Sequence, residues 1–314
     1  MKPKNNCLYC YKALTNETDF HEKCALEFFG TKEVPKIPYS LEDMGALAQH
    51  VVERSITVPG VQPKLSMSLE KNAATKENPR LTVVGALGGH YIFKPPTPQF
   101  SEMPENEHLT MRIAEAFGLN VVPSSLIRLA SGELAYITKR IDRTSEGEKI
   151  HMLDLFQVTE AYDKYKGSME KVGKAIGQYS TNTLLDKIFF FELTLFSFLT
   201  GNNDMHLKNF SLIESVSGWI LAPAYDLLNV SIVLPEDTEE LALTLAGKKR
   251  KLQKEHFEKL GQLLALTDKQ IKGVFKRMFK NKMKANQLIN ASFLSDEMKT
   301  AYKTVLEKRY QRME

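Results

Sequence analysis

The chain has 314 residues, enough for one large or two modest domains with a sizeable core. Its hydrophobic share of 43% and charged share of 25% are those of an ordinary globular protein, and no low-complexity tract or internal repeat interrupts it. A formal net charge of +4 neither requires nor excludes nucleic acid as a partner, and no direct binding to it is expected. The start, MKPKNNCLYCYK, lacks the apolar run of a secretory signal. The longest apolar stretch, residues 188–199, is too short for a membrane span and contains Glu192. A cytoplasmic protein without membrane contact is the expectation.

All three cysteines fall in the first 24 residues. Cys7, Cys10, His21 and Cys24 follow a C-x2-C-x10-H-x2-C pattern. Two close pairs of soft ligands across a short loop can close a tetrahedral zinc site. The other reading is three reduced thiols beside an incidental histidine. With four protein ligands a bound zinc would be structural, since no position is left open for chemistry.

After this head, TKEVPKIPYS reads as a linker whose prolines argue against helix. Ser40 caps a helix LEDMGALAQHVVER, with Asp43 as its capping-box partner. SITVPGVQPKLSMSL is a turn running into an alternating strand, and RLTVVGAL and GHYIFKPP are two further strands joined at a glycine turn. Pro104 opens the helix ENEHLTMRIAEAFGL, with Gly118 near its end. SSLIRLASGELAYITKRIDR reads as a hairpin and an exit segment. Beyond about residue 150 helix dominates: SMEKVGKAIGQYS, the apolar TLLDKIFFFELTLFSFL, and amphipathic helices from Lys254 onward. Two short strands, NFSLIES and GWILAP, interrupt them around a Ser-Gly turn. GKKRK at 247–251 reads as a solvated turn, and Trp219 as a core residue of the short hairpin. The plan is α+β, with domains expected at 1–30 (cysteine-rich head), 31–140 (strand-rich lobe) and 141–314 (helical lobe), and a cleft between the lobes.

The chemistry concentrates after the apolar helix, in LTGNNDMHLKNFSL. Asp204 and Asn209 are separated by four residues, the D-x-x-x-x-N spacing of a kinase catalytic loop. Chance supplies that pair in many chains, so its setting carries the weight. A buried helix precedes it, a hairpin follows, and the second strand runs into AYDLL with Asp226. A hairpin that returns the chain to one place lets Asn209 and Asp226 share a magnesium ion, which favours oxygen ligands. Upstream, Lys94 ends a strand and Glu107 lies early in the next helix, with Glu105 as the competing carboxylate. A strand lysine paired with a helix glutamate is how a kinase positions that lysine on nucleotide phosphates. The phosphate-covering loop is the weakest match: TVPGVQPKLS has one glycine, yet backbone N–H groups around Gly60, Val61 and Gln62 could bind phosphate, with Lys64 adding charge.

GVQPKLS, IFKPP, ENEH, KRIDR, NNDMHLKNFSL and PAYD together resemble the signatures of the HipA family of bacterial serine/threonine kinase toxins. The resemblance runs from about Leu41 onward. It implies a two-lobed, protein-kinase-like fold with a strand-rich N-lobe and a helical C-lobe, and ATP and magnesium as cofactors. The short cysteine head replaces an additional N-terminal subdomain of full-length members, so the chain looks like the compact HipT type. There a small HipS-like antitoxin and a HipB-like DNA-binding antitoxin are the expected partners. Carried over, Asp204 deprotonates the substrate hydroxyl, and Asn209 and Asp226 hold magnesium. Lys94 and the loop of Pro59, Gly60, Val61, Gln62 and Lys64 bind nucleotide phosphates. Lys139, Arg140 and Ile141 contact adenine through the backbone, where the family often has an acidic first residue. His206 and Lys208 contact the phosphate or fix the loop, and Tyr225 stands with Asp226 among the nucleotide-binding residues. Ser55 and Thr57 are candidate autophosphorylation sites, and aminoacyl-tRNA synthetases are the implied protein substrates. Two alternatives stand beside this reading: a small-molecule phosphotransferase, since antibiotic kinases also use a D-x4-N loop, and a non-catalytic regulatory binding module.

Overall fold

The computed structural model describes residues 5–15, 18–44, 46–47, 64–70, 79–84 and 88–314. They fall into two units. Met1–His108, Val122–Glu148 and Ala291–Phe293 form the first; Leu109–Val121, Lys149–Asn290 and Leu294–Glu314 form the second. The sequence reading puts its boundaries at 30 and 140 instead.

In the first unit the cysteine-bearing loop leads into helix α1 (Glu22–Phe29). Gly30 ends it at φ 69°, its N–H donating to the Leu26 carbonyl, a left-handed position that suits a residue without Cβ. Ser40 and Asp43 make the expected capping box, with Asp43 N–H to Ser40 Oγ at 3.2 Å and Ser40 N–H to Asp43 Oδ2 at 2.8 Å. The helix they open is described for residues 41–44 and 46–47. Strands β1 (Leu65–Glu70), β2 (Arg80–Val84) and β3 (Tyr91–Lys94) precede helix α2 (Met103–Ala116). Strands β4 (Ser124–Arg128) and β5 (Leu134–Lys139) form the expected hairpin. All pairings are antiparallel, in the order β2-β1-β3-β5-β4. The strands flanking the glycine turn therefore do not pair with each other, because β1 lies between them. Gly89 in that turn has φ 79°, and a Cβ there would stand 2.5 Å from the Met67 carbonyl of β1.

The head does not stand apart from this sheet. Cys7, Leu8, Phe20, Cys24, Phe28 and Phe29 share one core cluster with Met67, Tyr91, Phe93, Leu126 and Ile137. Phe28 and Phe29 reach the Tyr91 ring of β3 at centroid distances of 5.9 and 6.1 Å. Leu126 N–H of β4 donates to the Leu8 carbonyl at 3.3 Å, and Arg128 pairs with Asp19 at 2.9 Å.

The second unit is mostly helical. Strand β6 (Met152–Asp154) and the short helix α3 (Leu155–Val158) lead to α4 (Met169–Tyr179), N-capped by Ser168. Helix α5 (Thr183–Leu199) is the apolar segment singled out in the sequence, and Phe190 through Leu199 are buried without exception. Its one acidic residue in that stretch, Glu192, is raised in pKa by burial and pairs with Arg277. Strands β7 (Ser211–Ser215) and β8 (Gly218–Leu221) form the predicted hairpin, and β6 adds a third strand against β7 that the sequence reading lacked. Trp219 on β8 is half-buried, not a core residue, because it lies on the outer half of a short ribbon. Helices α6 (Lys254–Leu263), α7 (Asp268–Lys280), α8 (Lys282–Ala291) and α9 (Asp296–Gln311) complete the chain. No described helix is long and apolar enough to cross a membrane.

Candidate functional site

The polar cluster after α5 is held from several directions. Gly201, at φ 71°, turns the chain out of the helix, and its carbonyl accepts from Ser231 N–H and Ser231 Oγ, both at 3.1 Å. A Cβ at this position would stand 2.6 Å from Asn229 Oδ1 and 2.8 Å from Val305 Cγ1, so glycine is required by both conformation and space. Asn202 Oδ1 accepts the Asp204 N–H at 3.2 Å, and Asn203 Nδ2 donates to Asp237 Oδ2 at 2.8 Å and the Glu239 carbonyl at 3.1 Å. Residues 207–209 form a 3-10 turn, and Asn209 Nδ2 donates back to the Asp204 carbonyl at 3.3 Å. The two residues of the D-x4-N motif are thus tied into one loop.

A strap from residues 163–165 lies across this loop. Lys164 C=O accepts the Leu207 N–H at 3.1 Å, and Tyr165 Oη donates to Asp204 Oδ1 at 2.8 Å. The Tyr165 ring meets His206 edge-on at 5.1 Å. Burial, followed by the charge of Asp204, pushes the Tyr165 phenol up, so it stays a proton donor. Sequence reasoning missed Tyr165. It sits 39 residues before Asp204 in an irregular segment, and no spacing rule points to it.

Asp226 adopts φ 58°, a left-handed backbone that a non-glycine residue rarely takes. Its neighbour Tyr225 fixes it to the loop: Tyr225 Oη donates to the Lys208 carbonyl at 3.0 Å and meets Ser211 Oγ at 2.5 Å. Burial, then the charges of Asp226 and Asp154, pushes the Tyr225 phenol up. His206 is buried and its pKa is lowered by desolvation, partly offset by the charges of Asp204 and Asp226. Both carboxylates therefore act on the same imidazole. Lys208 is exposed, its Nζ 4.8 Å from the Phe156 ring centroid.

The donor chemistry suits magnesium. Asn209 spends its amide nitrogen on the Asp204 carbonyl, leaving Oδ1 as a hard oxygen donor, and Asp226 supplies a carboxylate. Beside them His206 Nδ1, Asn202 Nδ2 and Asn203 Oδ1 are buried with no hydrogen-bond partner among the described residues.

In the first unit, Lys94 Nζ stands 2.6 Å from Glu107 Oε1, with side chains only 5% and 2% exposed. The same ammonium lies 5.3 Å from the Tyr136 ring centroid. Glu107, not Glu105, is the partner. Glu105 is partly buried, and desolvation, with the Glu102 charge adding to it, pushes its carboxyl up from 4.5 to about 7. Between those values the folded chain holds a proton that the unfolded chain releases, so stability falls as pH rises through the window. Glu105→Gln is expected to stabilise the protein at pH 8 by about 1–3 kcal/mol and to leave it unchanged at pH 4. Urea melts at both pH values check this; an equal gain at both would mean that ionisation is not the cause.

The connector residues behave differently from one another. Lys139 turns its side chain onto the head, with Nζ 3.3 Å from the Glu27 carbonyl and 5.6 Å from the Phe28 ring centroid. Arg140 forms a fork with Asp142 at 2.8 and 2.6 Å and also reaches Ser66 Oγ and the Gly88 carbonyl, both at 3.1 Å. Ile141 is half-buried. Lys64 is exposed just before β1. Pro59, Gly60, Val61, Gln62, Ser55 and Thr57 lie outside the described residues.

In the first 24 residues the cysteine and histidine ligand atoms of Cys7, Cys10, His21 and Cys24 all lie within 4.8 Å of one another.

A strand-rich unit carrying a buried Lys–Glu pair, and a helical unit carrying a D-x4-N loop and an adjacent aspartate, define an α+β fold of the HipA-like kinase class. The chain belongs to the HipA-like C-terminal domain family, which matches residues 56–286. Y4dM of Sinorhizobium fredii is 36% identical over 68% of this chain and 54% of its own length. The serine/threonine-protein kinase toxin HipA of Shewanella oneidensis is 30% identical over 59% of this chain and 45% of its own. The chain spans about half the length of the curated relatives it matches. Among solved structures, the Shewanella oneidensis toxin–antitoxin complex of HipA, HipB and operator DNA aligns with a TM-score of 0.67 at 22% identity, covering 88% of this chain and 71% of that one. The Helicobacter pylori proinflammatory kinase CtkA aligns with a TM-score of 0.55 at 16% identity, covering 79% of this chain and 93% of that one.

Proposed function

We propose that this chain is an ATP- and magnesium-dependent serine/threonine protein kinase acting as the toxin of a bacterial toxin–antitoxin system. The observation that carries the reading is the Asp204 loop, fixed to the end of a buried helix, with Asn209 and Asp226 supplying oxygen donors beside it. Asp204 takes the proton from a serine or threonine hydroxyl of the substrate. The hydroxyl oxygen then attacks the γ-phosphorus of ATP as the bond to the ADP oxygen breaks. Magnesium, when bound, neutralises charge on the phosphates. Asn209 and Asp226 would hold it, and Lys94, oriented by Glu107, would bind the phosphates. Little covalent chemistry falls to the protein in such a transfer, so rigid placement of these groups is the main contribution. A loop tied by Asn202, Asn209, Tyr165 and Ser231 is suited to it.

The finer assignments rest on the family. The compact HipT type, a HipS-like small antitoxin, a HipB-like DNA-binding antitoxin and an aminoacyl-tRNA synthetase as substrate are the readings that the resemblance supports. HipB and operator DNA accompany HipA in the Shewanella complex. Autophosphorylation of Ser55 or Thr57 would add about −1.5 to −2 charges beside the phosphate loop and weaken ATP binding. The test is radiolabelled ATP and magnesium incubated with the purified chain and a cell lysate, followed by phosphopeptide mass spectrometry. Label is expected on serine or threonine of a lysate protein, and on Ser55 or Thr57 of the chain itself. No transfer to any protein would overturn the kinase reading.

A further inference from the structure

Cys7, Cys10, His21 and Cys24 have no part in the reading above, yet they converge inside the first unit. A hairpin presents the first two: Asn6 bridges Ala13, Cys7 N–H donates to the Lys12 carbonyl at 2.9 Å, and Tyr11 turns the chain at φ 62° with its N–H on the Cys7 carbonyl at 2.9 Å. His21 stands at the N-cap of α1 and Cys24 in its first turn. His21 Nε2 lies 3.1 Å from the Ala13 carbonyl, which can only accept a hydrogen bond, so Nε2 carries the proton. That fixes the tautomer and leaves the Nδ1 lone pair directed at the thiols, the outer-shell arrangement typical of a metal-binding imidazole.

Two of the ligand separations are those of a zinc tetrahedron, and all four ligand atoms lie within 4.8 Å of one another. Zinc–sulfur bonds of about 2.3 Å and a zinc–nitrogen bond of about 2.0 Å at tetrahedral angles separate sulfur from nitrogen by roughly 3.5 Å. His21 Nδ1 lies 3.5 Å from Cys10 Sγ and 3.7 Å from Cys24 Sγ. All three cysteines are free, so no disulfide accounts for the cluster. We propose that these four residues bind one structural zinc ion, and that the ion clasps the head to the strand-rich sheet. On binding, the thiol protons are released to solvent and the sulfurs ligate as thiolates. The ion joins the hairpin to the start of α1, and α1 carries Phe28 and Phe29 onto Tyr91 and the Glu27 carbonyl onto Lys139. Loss of the metal is therefore expected to loosen β3 and the end of β5, and not only the first 30 residues.

The proposal is independent of the kinase reading and is tested on the full chain, purified under reductant without chelator. Metal analysis is expected to find about one zinc per chain. Exchange for cobalt(II) is expected to give the intense visible bands of a tetrahedral thiolate site. His21→Cys should keep the metal with stronger sulfur-to-cobalt charge transfer, whereas His21→Ala should lose it to a chelator that the wild type resists. Chelated wild type should show faster amide exchange in α1, β3 and β5, with α5 unchanged. Protein with neither zinc nor a tetrahedral cobalt spectrum, or a Cys7–Cys10 disulfide under reductant, would overturn the proposal. So would a zinc content unchanged in Cys7→Ser/Cys10→Ser. If that double variant does not fold, the cobalt spectra of wild type and His21→Cys decide the matter alone.

Discussion

Asp204→Asn is expected to lower phosphoryl transfer by about 10²- to 10⁴-fold, the usual cost of removing a general base. The substitution is well controlled by its surroundings. An asparagine Oδ1 still accepts the Tyr165 hydroxyl, and the backbone contacts to Asn202 and Asn209 do not involve the carboxylate. Thermal stability and nucleotide affinity should therefore stay close to wild type while turnover is lost. Asp226→Asn is expected to act differently. It removes charge from the proposed magnesium ligand, so nucleotide binding should weaken and lose its dependence on magnesium. Single-turnover kinetics and nucleotide titrations with and without magnesium separate the two. Normal transfer rates in both variants would end the kinase reading.

Much of the helical unit was legible because its signals are local. A mostly apolar helix of seventeen residues, a D-x4-N spacing and a hairpin with a Ser-Gly turn each fit within one short window. The Lys94–Glu107 pair was legible for the same reason, since strand and helix follow each other directly. What escaped depended on contacts distant in sequence. Tyr165 reaches Asp204 from a segment with no periodicity, and β6 is too short to show alternation. The head looked like a separate module because three cysteines dominate its composition. Its Phe28, Leu8 and Glu27 are answered by Tyr91, Leu126 and Lys139, which lie on strands far along the chain. The glycines between β2 and β3 misled in a related way: they suggest a hairpin, whereas both strands pair antiparallel with β1 and so run in the same direction.

The Lys94–Glu107 pair should show the largest stability effect in the first unit. Both side chains are almost completely withdrawn from solvent, and an ion so placed loses several kcal/mol of hydration that only a well-made partner returns. Glu107→Gln is expected to destabilise the protein by about 3–5 kcal/mol, because the Lys94 ammonium stays buried without its carboxylate. Lys94→Met should cost a similar amount, leaving the Glu107 charge without that partner. The double variant Lys94→Met/Glu107→Leu should recover most of the loss, since two apolar side chains of similar volume replace both ions. The cycle would then give a coupling energy of roughly 5–8 kcal/mol, larger than either single loss and measurable by denaturant melts. Additive losses would mean that the two charges do not depend on each other. Recovery of stability should bring no recovery of nucleotide binding, because an apolar thioether in place of the ammonium offers nothing to a phosphate.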